Sequence, residues 1–60
     1  MKATKATETT QCGDCGRMIA VGESEIIIQA AYEANGWAVA SGHRHRACWR
    51  RIERLIRAAA

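Results

Sequence analysis

Two short segments fix most of what this chain can become: Cys12-Gly13-Asp14-Cys15 and His45-Arg46-Ala47-Cys48. Each sets two soft metal ligands three positions apart, and together they use all three cysteines of the chain. Thiolate and imidazole are the ligand set of tetrahedral structural zinc, and a Cys3His site leaves no open position for chemistry. Three cysteines cannot all pair with one another, so a disulfide framework predicts a leftover thiol and a Cys3His site predicts none. Gly13 and Gly16 give the first knuckle the backbone freedom to turn its amides towards sulfur. The expectation is therefore one zinc ion held by Cys12, Cys15, His45 and Cys48. Two alternatives stand beside it. In one, Cys12 and Cys15 form a redox pair unrelated to Cys48, although no thioredoxin-like βαβ pattern surrounds them. In the other, His43 replaces His45 as the fourth ligand, at a spacing from Cys48 that misses the i, i+3 geometry of a helix.

The metal matters because the chain has 60 residues, with no Phe and no Pro. A core of that size is marginal alone, and metals, disulfides or association usually supplement it. Leftover-thiol arithmetic favours a reducing compartment. Residues 1–10 lack the apolar run of a signal peptide, and no stretch approaches the length of a membrane span. The location expected is intracellular, cytoplasmic or nucleoid/nuclear, and not secreted.

Residues 1–10 are small, polar and rich in Thr and Ala, and are expected to be a disordered arm ahead of one domain over 11–60. After the knuckle, Arg17–Val21 suits a short strand closed by Gly22. Glu25–Tyr32 carries a β-branched run that predicts a strand with Ile26, Ile28, Ala30 and Tyr32 on one face and Ile27 and Gln29 on the other. A helix over Gln29–Ala34 is the competing reading of the alanines. Asn35-Gly36 signals a hairpin turn, with Trp37–Ser41 as the return strand. Trp37 is expected to pack against the helix, with stacking on a base or a partner as the alternative. Exposure of Val21 and Ile27 together would leave a sheet-edge patch.

A helix is predicted from about His45. Projected at roughly 100° per residue, His45, Cys48, Trp49, Ile52, Leu55 and Ile56 fall in one arc of about 120°. Arg46, Arg50, Arg51, Arg54 and Arg57 fall in another of about 140°. Charge follows the same division. Residues 1–43 set Lys2, Lys5 and Arg17 against Glu8, Asp14, Glu23, Glu25 and Glu33, a net of −2. Residues 44–60 set Arg44, Arg46, Arg50, Arg51, Arg54 and Arg57 against Glu53 alone, a net of +5. Guanidinium groups make planar, bidentate contacts to phosphate, so this segment predicts contact with nucleic acid, DNA before RNA, with Arg44 and His43 at the helix start. An acidic protein surface is the alternative partner, and a merely solvated helix face the plainest reading. Nothing in the chain suggests catalysis: no nucleophile–base order and no paired carboxylates stand out.

Knuckle, hairpin and then a helix whose first turn supplies two ligands is the layout of a treble-clef zinc finger, a small α+β fold. Cys12-x2-Cys15, a gap of about thirty residues and His45-x2-Cys48 resemble the zinc finger of the poly(ADP-ribose) polymerase type. Ile19 and Gly22 match that family's Cys-x3-Ile-x2-Gly run, and Trp49 matches an aromatic after the last cysteine. The resemblance covers roughly residues 12–50. It implies a treble-clef-like fold and, for that family, recognition of DNA breaks through backbone contacts and stacking on exposed base pairs. The family commonly has Trp two residues before the ligand His; here that position is His43.

Overall fold

The computed structural model describes residues 2–59. Seven short strands precede one helix: β1 (Thr4–Lys5), β2 (Thr10–Gln11), β3 (Met18–Ile19), β4 (Ser24–Ile28), β5 (Tyr32–Ala34), β6 (Trp37–Val39), β7 (Gly42–His45) and α1 (Arg46–Ala58). The result is a small α+β fold with antiparallel strand pairs and a C-terminal helix.

β2 and β3 form a narrow hairpin, Thr10 opposite Ile19 and Gln11 opposite Met18, and the first cysteine pair sits in its loop. β4 is the centre of a three-stranded sheet with β1 on one side and β7 on the other. The β4–β7 register sets Glu25 opposite His45, Ile26 opposite Arg44 and Ile27 opposite His43. Alternation then gives the sheet two different faces. One carries His45 and His43 with Glu25; the other carries Ile26 and Ile28, which pack with Val39 and Trp49 as the main core. Ala6, Cys12 and Ile19 form a second cluster, with Cys48 against it.

Several expectations change here. Residues 4–10, expected to be part of a disordered arm, instead supply β1 and the first residue of β2, with Thr4 opposite Glu25 and Ala6 buried in the second cluster. Met1 and Ala60 lie outside the described residues. The strand expected over Glu25–Tyr32 stops at Ile28. The alanine-rich stretch after it forms no helix, and Tyr32–Ala34 starts a separate ribbon. That ribbon turns at Asn35-Gly36 as expected. Both residues have positive φ, 49° and 82°, as the mirror-image two-residue hairpin turn requires. The partner of the Ile strand is not the Trp37 segment but β7. Its sequence, Gly-His-Arg-His, carries no hydrophobic alternation to announce a strand.

α1 follows β7 without a loop, and His45 is its N-cap residue. Trp49 is its one buried residue, while Ile52 and Ile56 pack at the core margin. Leu55, expected on the core face, is 45% exposed. The far end of the helix is tied instead by Asn35 Nδ2, which donates to the Ile56 carbonyl at 3.0 Å.

Candidate metal centre

The β2–β3 loop and the β7–α1 junction bring four ligand atoms together. Those of Cys12, Cys15, His45 and Cys48 all lie within 4.8 Å of one another. A tetrahedral ion with metal–sulfur and metal–nitrogen bonds of zinc length requires ligand–ligand edges of about 3.4–3.8 Å. Cys15 Sγ stands 3.3 Å and Cys48 Sγ 3.8 Å from His45 Nδ1. The residues present can therefore hold one metal ion.

Neighbouring groups act on His45, Cys12 and Cys48. His45 Nε2 lies 3.2 Å from the Met18 carbonyl, and a carbonyl can only accept, so the proton sits on Nε2 and the Nδ1 lone pair faces the sulfurs. The Glu23 carboxylate, 3.4 Å from the same nitrogen, supports that tautomer. Cys12 is buried, and burial pushes its thiol up, but the backbone N–H groups of Cys15, His45 and Asp14 outweigh this, with help from the His45 side chain. Its pKa comes down to about 6. The Asp14 and His45 amides each point at Cys12 Sγ from 3.4 Å. Cys48 moves the other way, to about 12, through burial and then the proximity of the Cys12 and Cys15 sulfurs. One thiolate is thus preformed, and the like charges gathered around it are what a cation would relieve. The helix N-terminus adds a favourable dipole to sulfurs placed at its first turn.

His43, the alternative ligand, is not one of the four. Two positions along the strand from His45, it directs Nδ1 to Glu25 Oε1 at 2.7 Å. Glu25 is only 4% exposed, so this contact satisfies a buried carboxylate. Arg44 also departs from its expected role at a phosphate surface. It is 5% exposed and donates to the Ala40 carbonyl at 2.8 Å and the His43 carbonyl at 3.0 Å. Its guanidinium presses on the knuckle at Gly13, where an added Cβ would come within 2.4 Å of Nη1. Arg51 is exposed and paired with Asp14 of the knuckle. Arg57 stands 3.7 Å from Glu53. Arg46, Arg50 and Arg54 are exposed, with no carboxylate partner among the described residues.

The sequence pattern found the four clustered residues but not their supports. Glu23, Glu25 and the Met18 carbonyl act through pairings 18 to 27 residues distant. No local spacing announces those.

No protein-family model, curated protein or solved structure matches the chain. Among the described residues no helix is long and apolar enough to cross a membrane.

Proposed function

We propose that the chain is a treble-clef-type zinc module that contacts nucleic acid, DNA in preference to RNA, through the outer face of α1. Zinc is the metal proposed because three thiolates and one imidazole suit it better than the harder divalent ions. With four protein ligands the ion is structural, and the module is a binder rather than an enzyme. An intracellular, reducing setting goes with three unpaired thiols.

The observation that carries the reading is a stripe of exposed guanidinium groups. Arg46, Arg50, Arg54 and Arg57 are all exposed and fall within an arc of about 80° on a 13-residue helix. Their i, i+4 and i, i+3 spacing suits a row of phosphates, which neutralises like charge that otherwise costs helix stability. Arg44 and His43 drop out of the surface, being committed to Ala40, to the His43 carbonyl and to Glu25. Arg51 joins it only by leaving Asp14.

The test is polarisation of a labelled random duplex titrated with zinc-loaded chain. Three or four phosphate contacts predict that log K falls with log salt at a slope of about −3. Arg50→Glu with Arg54→Glu should abolish binding, and a matched single-stranded RNA should bind more weakly. Absence of binding to duplex or RNA at low salt defeats the proposal. Preference for nicked over intact duplex would extend it to break recognition. A second reading, an acidic protein surface as partner, draws on Val21 and Ile27, both exposed apolar side chains. It predicts a partner that survives nuclease treatment in a pull-down.

A further inference from the structure

On the side of α1 away from that stripe, a groove of about 520 Å³ opens between the Cys12–Cys15 turn, β6 and the helix. Its walls include Trp37, Val39, Ile52 and Leu55, and its knuckle end holds Arg44 and Arg51. Trp37 is 41% and Leu55 45% exposed, so the walls present large apolar surface to solvent. On the helix, Arg51, Leu55 and Ile52 span an arc of about 100° that begins about 60° beyond Arg54, so the two surfaces are separate.

The cationic end is what gives the groove a chemistry. Arg44 is a buried guanidinium held by two carbonyls, and among the described residues no carboxylate pairs with it. Carbonyl dipoles satisfy some of its five donors but leave its full charge without an anion, an unfavourable state for a buried ion. Beside it, Arg51 has Asp14, but that pair is exposed and exchanges readily with a competing carboxylate. Two cations and one anion therefore face a space lined by Trp, Val, Ile and Leu. Tryptophan and arginine in a concave site are the side chains that most often dominate protein recognition. The volume is that of a site for a few side chains, not for a folded domain.

We propose that this groove is a docking site for a short peptide segment of a protein partner, one carrying a carboxylate side chain next to a large apolar side chain. The carboxylate supplies the missing counter-charge at Arg44 and Arg51, and the apolar side chain covers Trp37 and Leu55. A polyanion is the poorer occupant: its charge repeats along its length, whereas the cations here occupy one end of an apolar trough.

The experiment is selection of random short peptides, displayed on phage, against immobilised zinc-loaded full chain. Enriched peptides should pair Asp or Glu with Leu, Ile, Phe or Trp. Changing the acid to its amide in a selected peptide should weaken binding about tenfold, as should Trp37→Ala and Leu55→Ser, while Arg50→Gln with Arg54→Gln should change it less than about threefold. Zinc stoichiometry and circular dichroism establish that the variants fold; Leu55→Ser, on an exposed helix position, keeps the test valid should Trp37→Ala fail to. Three results overturn the proposal: no enrichment, peptides whose binding depends on Arg50 and Arg54 but not on Trp37 or Leu55, or displacement of bound peptide by an oligonucleotide that quenches Trp37. Loss of duplex binding to the stripe leaves these readouts untouched, so the two proposals fail separately.

Discussion

His43 and His45 are two residues apart on one strand face, yet only His45 reaches the sulfurs. Its Nε2 is anchored by Met18, whereas His43 is drawn off by Glu25. Replacing His43 with Asn should therefore leave zinc stoichiometry at one and lower stability by about 1–2 kcal/mol through loss of a partner for the buried Glu25 carboxylate. Zinc titration and urea unfolding of the variant read both numbers; loss of the metal would restore His43 as a ligand. The cysteines make a separate prediction about protons. In the metal-free chain, the Cys12 thiol, lowered from 9.0 to about 6, contributes stability that is complete above pH 9 and is lost as pH falls through about 6. The Cys48 thiol, raised to about 12, contributes stability that is complete below pH 9 and is lost as pH rises through about 12. At pH 7, then, Cys12 is already mostly thiolate and Cys48 still holds its proton. Zinc uptake at that pH should release at least one proton, with Cys48 among its sources. Calorimetry in buffers of different ionisation enthalpy counts it, and a binding heat independent of buffer would contradict the assignment. The four residues that could hold a metal were legible in the sequence because spacing alone marks them. The burial of Arg44 was not, since six arginines crowd residues 44–57 and only the pairing with Ile26 shows that this one turns inward.

The elements divide by whether their cause is local. The Asn35-Gly36 turn was readable because its backbone demands are met by those two residues. Gly36, at φ 82° with open space where a Cβ would stand, meets only a conformational cost on substitution. Gly36→Ala should destabilise the chain by about 1 kcal/mol and leave zinc stoichiometry at one. Gly13 presents the opposite case. A Cβ there meets the Arg44 guanidinium, which can swing away only by giving up its bonds to Ala40 and His43. Gly13→Ala should therefore cost about 1–3 kcal/mol, and much less when Arg44 is already Ala, a coupling that a double-mutant cycle measures directly. Additive losses would show that the guanidinium does not fill the space at Gly13. β7 was not legible in the sequence for a related reason. Gly42–His45 has strand geometry because β4 supplies its partners and Cys12 bridges to His43, not because its own side chains favour an extended chain. β1 was hidden in the same way, a two-residue strand formed at the edge of a sheet built elsewhere.

For the molecule as a whole, two small clusters share the burden of a core: Ile26, Ile28, Val39 and Trp49 in one, Ala6, Cys12 and Ile19 in the other. Neither holds enough apolar area to order a chain of this length alone. The four candidate ligands come from the β2–β3 loop and from the β7–α1 junction; Cys12 belongs to the second cluster and Cys48 packs against it. A bound ion thus cross-links the N-terminal hairpin to the start of the helix, and the helix in turn carries Trp49 into the first cluster. Because the unfolded chain does not hold the four ligands at these separations, binding free energy becomes folding free energy. This yields a quantitative expectation. With the site saturated, each tenfold rise in free zinc should increase unfolding free energy by about 1.4 kcal/mol. Chelation should abolish the near-ultraviolet dichroism of buried Trp49 and the amide protection of β7 and α1 together. The measurement is the urea midpoint across a series of zinc buffers. A midpoint that stayed constant while zinc was shown to be bound would mean that the fold stands without its metal, and that the cysteines serve something other than closing this structure.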